Sequence, residues 1–106
     1  MANKLYAMEL LTEEVAKDVS ANPQEWIRFL NTASRLYRYT FPEQLLIYAQ
    51  RPGATAVASM EIWNQKMYRW IKKGSKGIAL IDNTSGPKTK LRYVFDVQDT
   101  YKVKNL

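Results

Sequence analysis

The feature of this sequence that most restricts its fold is a change of hydrophobic period near Met67. Before that residue, apolar side chains recur every three or four positions, as they do in a helix packed on one side. After it, apolar and polar residues alternate over short runs, as they do in half-buried strands. The sequence therefore predicts an α+β fold, with three to four helices packed on a small antiparallel sheet that includes a C-terminal hairpin.

The helical part is predicted from residues that cap helices. The candidate N-caps are Thr12, Asn22, Thr40 and Ser59. We expect the first helix to run from Thr12 to about Ser20, and the second to open at Asn22 with Pro23 in its first turn. The apolar positions of the second helix are Trp26, Phe29, Leu30, Ala33, Leu36 and Tyr37. We expect Trp63, in the fourth helix, to lie in the core.

The strands are predicted from alternation and from turn residues. Tyr68–Ile71 and Ile78–Ile81 are expected to pair as a hairpin, joined by a turn at Lys72–Gly77 that contains two glycines. Asn83–Pro87 has the composition of a loop, and Leu91–Phe95 that of a half-exposed strand. The end of the chain from Gln98 is expected to fray. At 106 residues, the chain is expected to form one domain, residues 1–106, with a core over about residues 12–100.

Composition excludes several classes of function. The chain has no cysteine and no histidine, so thiolate chemistry, the usual general base and the commonest metal ligand are absent. The isolated aspartates near strand ends have no second functional group, and caps or turns account for them. We expect no enzymatic activity, no cofactor, no metal site and no membrane segment, and a cytoplasmic location.

The positive charge is concentrated in the second part of the chain. Residues 1–65 carry six basic and seven acidic side chains, whereas residues 66–106 carry ten basic side chains against three acidic ones, and the whole chain has a net charge of +6. Such asymmetry, with aromatic residues interleaved, favours a nucleic-acid partner. Surface lysines that only maintain solubility are the alternative.

The candidate contacts with nucleic acid lie around the predicted Lys72–Gly77 turn. Lys72, Lys73 and Lys76 would contact phosphates from a tight turn, although the spacing does not match a P-loop. Tyr68, Trp70 and Tyr93 are the nearest aromatic residues, and alternation leaves open whether Trp70 stacks on a base or lies in the core. The predicted binding residues are Lys66, Tyr68, Arg69, Trp70, Lys72, Lys73, Lys76, Lys88, Lys90, Arg92 and Tyr93. A secondary basic stripe on the second helix comprises Arg28, Arg35 and Arg38.

An ordered set of motifs between Asn22 and Thr100 resembles the N-terminal domain of the ArdC-type antirestriction proteins. The motifs are Asn22-Pro23-Gln24-Glu25-Trp26, Tyr39-Thr40-Phe41, Gln44–Pro52, Ile71–Ile78 and Tyr93–Val97. The resemblance implies a domain that binds single-stranded DNA, carried by conjugative plasmids, transposons or phages. It also implies that the chain is either the N-terminal domain of a larger protein, with a peptidase, helicase or methyltransferase domain as a partner, or a stand-alone version of that domain. The sequence has no His-Glu-x-x-His motif, so no protease function is carried over.

Two hypotheses therefore follow from the sequence. The first is sequence-tolerant binding of single-stranded DNA, in an antirestriction or DNA-transfer context. The second is a protein-interaction module that docks another domain of the same mobile-element protein through the hairpin edge or the arginine stripe. Binding to duplex DNA is disfavoured because no helix-turn-helix with a base-reading second helix is found.

Overall fold

Four helices and two small antiparallel sheets make up the computed structural model, which describes residues 4–82 and 89–103. The helices are α1 (Lys4–Val19), α2 (Pro23–Ala33), α3 (Phe41–Gln50) and α4 (Met60–Gln65). The strands are β1 (Val57–Ala58), β2 (Arg69–Ile71), β3 (Ile78–Asp82), β4 (Lys90–Asp96) and β5 (Thr100–Lys102), and a 3-10 turn covers Val97–Asp99. The predicted α+β architecture is confirmed.

Three of the four predicted N-caps are confirmed. The Asn22 side chain accepts a hydrogen bond from the Glu25 amide at 2.9 Å, and that of Ser59 accepts one from the Ile62 amide at 3.3 Å. Thr40 forms a capping box with Glu43, in which each side chain accepts a hydrogen bond from the other residue's amide. These caps satisfy amides that a helix start leaves without partners.

The predicted start of the first helix at Thr12 is wrong. Helix α1 begins eight residues earlier, and the Thr12 hydroxyl donates to the Met8 carbonyl at 2.8 Å, as a threonine inside a helix does. Met8 and Leu11 pack against the core, so the core also begins before residue 12. In the described part of the chain, no helix is both long enough and apolar enough to cross a membrane.

The core consists of two neighbouring clusters. One lies between α3 and the sheet that contains β3 and β4, and its buried members are Leu36, Leu46, Ile47, Ala54, Ile78, Leu80 and Val94. The other joins α1, α2 and α3 through Val15, Val19, Phe29, Ala33 and Leu45. Trp63 is buried as predicted, and its indole Nε1 donates to the Phe95 carbonyl at 2.8 Å.

The apolar face predicted for the second helix is only partly buried. Phe29, Ala33 and Leu36 lie in the core, but Trp26 and Leu30 are exposed. Tyr37 follows the end of α2 and is also exposed. The spacing of three and four residues identified the helix correctly, yet α2 buries a narrower side than the pattern predicts.

The strands form two sheets, and the predicted hairpin between Tyr68–Ile71 and Ile78–Ile81 is wrong. Strands β1, β4 and β3 form one antiparallel sheet in that order, whereas β2 pairs with β5 in a second sheet. The C-terminal hairpin is instead β3 with β4, in register from Ile78 opposite Val94 to Asp82 opposite Lys90. The loop predicted at Asn83–Pro87 lies outside the described residues.

The segment predicted to fray, from Gln98 onward, is ordered through Lys102. Asp96 is fully buried, and its carboxylate accepts hydrogen bonds from the amides of Thr55, Ala56 and Gln98 at 2.8, 3.2 and 3.1 Å. This carboxylate caps the 3-10 turn, as a structural aspartate should. The turn then directs β5 back to pair with β2.

Candidate nucleic-acid interface

The two-stranded sheet presents a pair of aromatic side chains to solvent. Trp70 and Tyr101 are direct cross-strand partners, so their side chains lie on the same face of the sheet. They are 45% and 49% exposed, respectively. Within the described residues, neither ring contacts another aromatic ring or a cation. Both rings are therefore available to a planar ligand.

The opposite face of the same sheet points toward the protein, which settles the orientation of Trp70. Ile71 is half-buried, and its cross-strand partner Thr100 is buried. The Arg69 guanidinium donates to the Thr100 hydroxyl at 2.6 Å and to the Thr100 carbonyl at 3.3 Å. Arg69, which the sequence predicted as a binding residue, therefore stabilises the sheet from its inner side.

Tyr68 adds a third exposed aromatic ring next to the pair. It is 57% exposed and has a backbone φ of 55°, in the left-handed region that non-glycine residues seldom adopt. Its carbonyl accepts a hydrogen bond from the Val103 amide at 3.1 Å, which fixes this conformation beside β5. Met67, immediately before it, is also exposed. We call the set Met67, Tyr68, Trp70 and Tyr101 the aromatic face.

The turn after β2 carries the lysines predicted to contact phosphates. The Ser75 amide donates to the Lys72 carbonyl at 3.1 Å, and Gly74 has a φ of 86°, which an L side chain rarely adopts. Lys73 and Lys76 are exposed, and neither has a hydrogen-bond or ion-pair partner within residues 4–82 and 89–103. Lys72 is different, because its Nζ donates to the Gln98 carbonyl at 3.0 Å.

One further lysine lies next to the aromatic face along the chain. Lys66 follows α4 and is exposed, one residue before Met67. Lys102 is also exposed, but it is the cross-strand partner of Arg69, so it leaves β5 on the face opposite to Trp70 and Tyr101. Lys66, Lys73 and Lys76 therefore accompany the exposed rings along the chain, and none of the three makes an ion pair in the described part of the chain. Cations around exposed aromatic rings are the arrangement that single-strand binders use.

Arg92 does not belong to this surface. Its guanidinium forms an ion pair with Glu43 at 2.6 Å, between β4 and α3. It lines a cavity of about 500 Å³ whose walls also carry four carboxylates. These are Glu9, Glu13, Glu43 and Asp82. Such a wall repels phosphate, so the prediction that Arg92 binds nucleic acid is not supported by its surroundings.

Tyr93 and Lys90 lie on β4, in the other sheet. The Lys4 ammonium lies 5.1 Å from the centre of the Tyr93 ring, and Gly77 approaches the same side chain so closely that a Cβ on Gly77 would lie 3.1 Å from that of Tyr93. Lys90 is exposed opposite Asp82. Lys88 lies outside the described residues. The structure thus divides the predicted aromatic set between two sheets and does not bring Tyr93 to the aromatic face.

The arginine stripe predicted on the second helix is engaged within the protein. Arg28 forms an ion pair with Glu25. Arg35 donates to the carbonyls of Ala54 and Asn31 at 3.1 and 2.9 Å. Arg38, beyond the helix, lies 5.8 Å from the centre of the Tyr37 ring, and the hydrogen bond that its guanidinium donates to the Tyr37 side chain raises the pKa of Arg38. The stripe is therefore not a row of unpaired cations.

Two members of the aromatic face, Met67 and Tyr101, are not among the predicted binding residues. Tyr101 lies in the segment that was predicted to fray. The alternation of Thr100, Tyr101 and Lys102 is the signal that could have identified it, although three residues are a short run from which to predict a strand.

No protein-family model matches the sequence, and no match is found among curated proteins or among solved structures. The resemblance to the ArdC-type domain therefore stays a prediction from the quoted motifs.

Proposed function

We propose that the protein binds single-stranded DNA on the aromatic face. The observation that carries the proposal is the solvent-exposed cross-strand pair of Trp70 and Tyr101. A protein gains little stability from two large rings left half in water, whereas a base stacked on such a ring contributes roughly 1–3 kcal/mol to binding. Stacking does not require a particular base, so binding should tolerate many sequences.

The charges around the aromatic face support a polyanionic ligand. Lys66, Lys73 and Lys76 are all exposed and unpaired among the described residues. Each can neutralise one phosphate and release its counterion. A single strand presents both its phosphates and its base faces, whereas a duplex hides the faces inside its stack. The combination of rings and lysines therefore favours the single strand.

The biological context of the proposal comes from the resemblance to ArdC-type domains. It suggests a mobile element, such as a conjugative plasmid, transposon or phage, and an antirestriction or DNA-transfer role. The domain would either protect transferred DNA or bring an attached enzymatic domain to it. The domain itself needs no catalytic group for either role.

The test is a comparison of oligonucleotides of matched length. Fluorescence anisotropy with labelled single-stranded DNA, duplex DNA and RNA should show the tightest binding to a single strand at the same salt concentration. Single-stranded RNA differs from single-stranded DNA in its sugar but stacks its bases in the same way. A difference in affinity between the two would therefore show that the protein recognises the sugar. Equal affinity for single strand and duplex would refute stacking on the aromatic face and leave only attraction between opposite charges.

A second candidate function is supported by the exposed side of α2. Trp26, Ile27 and Leu30 are exposed there, with Phe41 at the start of α3. Apolar side chains grouped in this way are typical of protein-docking surfaces. In this alternative, another domain of the same mobile-element protein docks on the domain. Leu30→Lys would abolish such docking and leave oligonucleotide affinity unchanged.

A further inference from the structure

A small cleft lies where the basic turn meets the end of α3. Its volume is about 330 Å³. The lining residues are Gln50, Arg51, Lys76, Gly77, Ile78 and Asp99. Two of the six are cationic and one is anionic, so the cleft has a positive balance on a protein surface that already bears the unpaired Lys73.

The two cations of the cleft differ in how they are held. Lys76 has no partner among the described residues and can reorient. The Arg51 guanidinium is held by three neighbours. One terminal nitrogen lies 3.3 Å from the Asp99 carboxylate, and the other lies 3.5 Å from the Gln98 side-chain oxygen and 4.0 Å from the buried Asp96 carboxylate. A guanidinium has five N–H donors, so these three neighbours leave donors for a further anion, although the two carboxylates offset part of its charge.

The wall of the cleft is rigid. The Gln50 side-chain amide donates to the Ala79 carbonyl and accepts from the Ala79 amide, both at 2.9 Å. This pair of bonds ties the end of α3 to β3. The Gln50 amide nitrogen also donates to the Leu46 carbonyl at 3.0 Å, so both of its N–H groups are used. The positive charge in the cleft therefore comes from Arg51 and Lys76.

The cleft and the aromatic face are linked along the chain. The Asp99 carbonyl accepts a hydrogen bond from the Lys72 amide at 2.8 Å, directly after β2, and Asp99 lies two residues before Tyr101. Lys76, which lines the cleft, follows Trp70 by six residues through the basic turn.

We propose that this cleft binds a backbone phosphate of the single strand that stacks on the aromatic face. The proposal rests on the proposed function and adds Arg51 to the interface. Arg51 and Lys76 hold the phosphate from two sides. Asp99 positions Arg51 and at the same time opposes the anion, so it limits affinity. An arginine fork suits a phosphate because two parallel N–H bonds can meet two oxygens.

The proposal is tested with three single variants, each measured against a single-stranded oligonucleotide over a range of salt. Arg51→Gln and Lys76→Gln should each lower affinity and flatten the log–log salt slope by about 0.7, the value for one lost phosphate contact on a single strand. Asp99→Asn should raise affinity several-fold, because it removes an opposing charge and keeps the shape of the side chain. Lys17→Gln, at an exposed lysine of α1, is the matched control and should change neither quantity.

The outcomes separate the two proposals. Arg51 and Asp99 also pair with each other, so a role limited to folding would make both variants less stable, and Asp99→Asn would not bind more tightly. The phosphate site would be overturned if Arg51→Gln and Lys76→Gln left the salt slope unchanged and Asp99→Asn did not raise affinity. In that case, binding of the oligonucleotide by the wild type and loss of binding in Trp70→Ala would still support the aromatic face. A wild type that binds no oligonucleotide overturns both.

Discussion

Trp70 and Tyr101 lie opposite each other on β2 and β5, each about half exposed on the outward face. We expect Trp70→Ala and Tyr101→Ala each to weaken single-strand binding by about 1–3 kcal/mol, because each removes one stacking surface. Isothermal titration calorimetry measures the binding free energy of each variant. Trp26→Ala is the matched control, since Trp26 is also exposed but lies on α2. Equal losses in all three variants would show that the effect is not specific to this face.

Tryptophan fluorescence should report stacking on Trp70. The chain has three tryptophans, of which Trp63 is buried and Trp26 lies on α2. We expect DNA to quench the emission of the wild type and of Trp26→Phe, and to quench Trp70→Phe much less. A quench that persists in Trp70→Phe and disappears in Trp26→Phe would move the site to α2.

The lysines of the turn should differ in their contributions. Lys73 and Lys76 are unpaired within the described chain. The double variant, Lys73→Ala and Lys76→Ala, should therefore lower the affinity for a single strand and reduce the magnitude of the log–log salt slope by about 1.4, which is about 0.7 for each lost phosphate contact. The melting temperature should hardly change, because exposed lysines add little to folding. Lys72→Ala should have a smaller effect on affinity, since the Lys72 ammonium is bound to the Gln98 carbonyl. A larger loss from Lys72→Ala than from the double variant would contradict this order.

Arg92 should matter to stability and not to DNA. Its ion pair with Glu43 is partly exposed, so Arg92→Ala should lower the free energy of unfolding by about 0.5–1 kcal/mol. Affinity for a single strand should be unchanged when measured per folded molecule. Denaturant unfolding and anisotropy on the same samples give both values. If Arg92→Ala weakened binding of the single strand without changing the free energy of unfolding, Arg92 would be a contact residue for DNA.

High pH should destabilise the protein through Tyr39. Burial, with a smaller contribution from Glu43, raises the pKa of Tyr39, against an opposing effect of Arg92. Its hydroxyl donates to the Val57 carbonyl at 3.0 Å. Since the folded state holds the proton more tightly than the unfolded state, this stabilisation is complete below about pH 10 and is lost as pH rises through the raised pKa.

Tyr39→Phe tests this directly. At neutral pH the variant should be less stable by about 1 kcal/mol, because the hydrogen bond is lost. Above about pH 10 the difference from the wild type should shrink, since only the wild type has this phenol to ionise. The other tyrosines are present in both proteins, so their contributions cancel in the difference. A gap that is constant up to pH 11 would contradict the assigned cause.

Local sequence signals predicted the helices well and the strand partners poorly. The caps at Asn22, Thr40 and Ser59 depend on contacts three residues away, so the sequence shows them directly. Thr12 has the same chemistry but bonds backward to Met8, and only the apolar spacing before it reveals the longer helix.

Long-range pairing had no comparable signal. The alternation in β2 suits either β3 or β5 as a partner, and the Arg69 bonds to Thr100, 31 residues away, appear only in the folded protein. In the same way, nothing near Arg92 in the sequence shows that it forms an ion pair with Glu43, 49 residues away. The sequence predicted a candidate site in the segment that contains β2 and the basic turn, but which aromatic rings share one face follows only from the register of β2 and β5.

The left-handed backbone of Tyr68 implies that the aromatic face is kept at the expense of stability. A non-glycine residue in this region is strained by roughly 1–2 kcal/mol, and an exposed ring recovers little of that through burial. Asparagine tolerates this conformation better. The free energy of unfolding is thus lower than the same fold could have with a residue that tolerates this conformation. The strain that lowers it lies at Tyr68, whose ring faces the solvent.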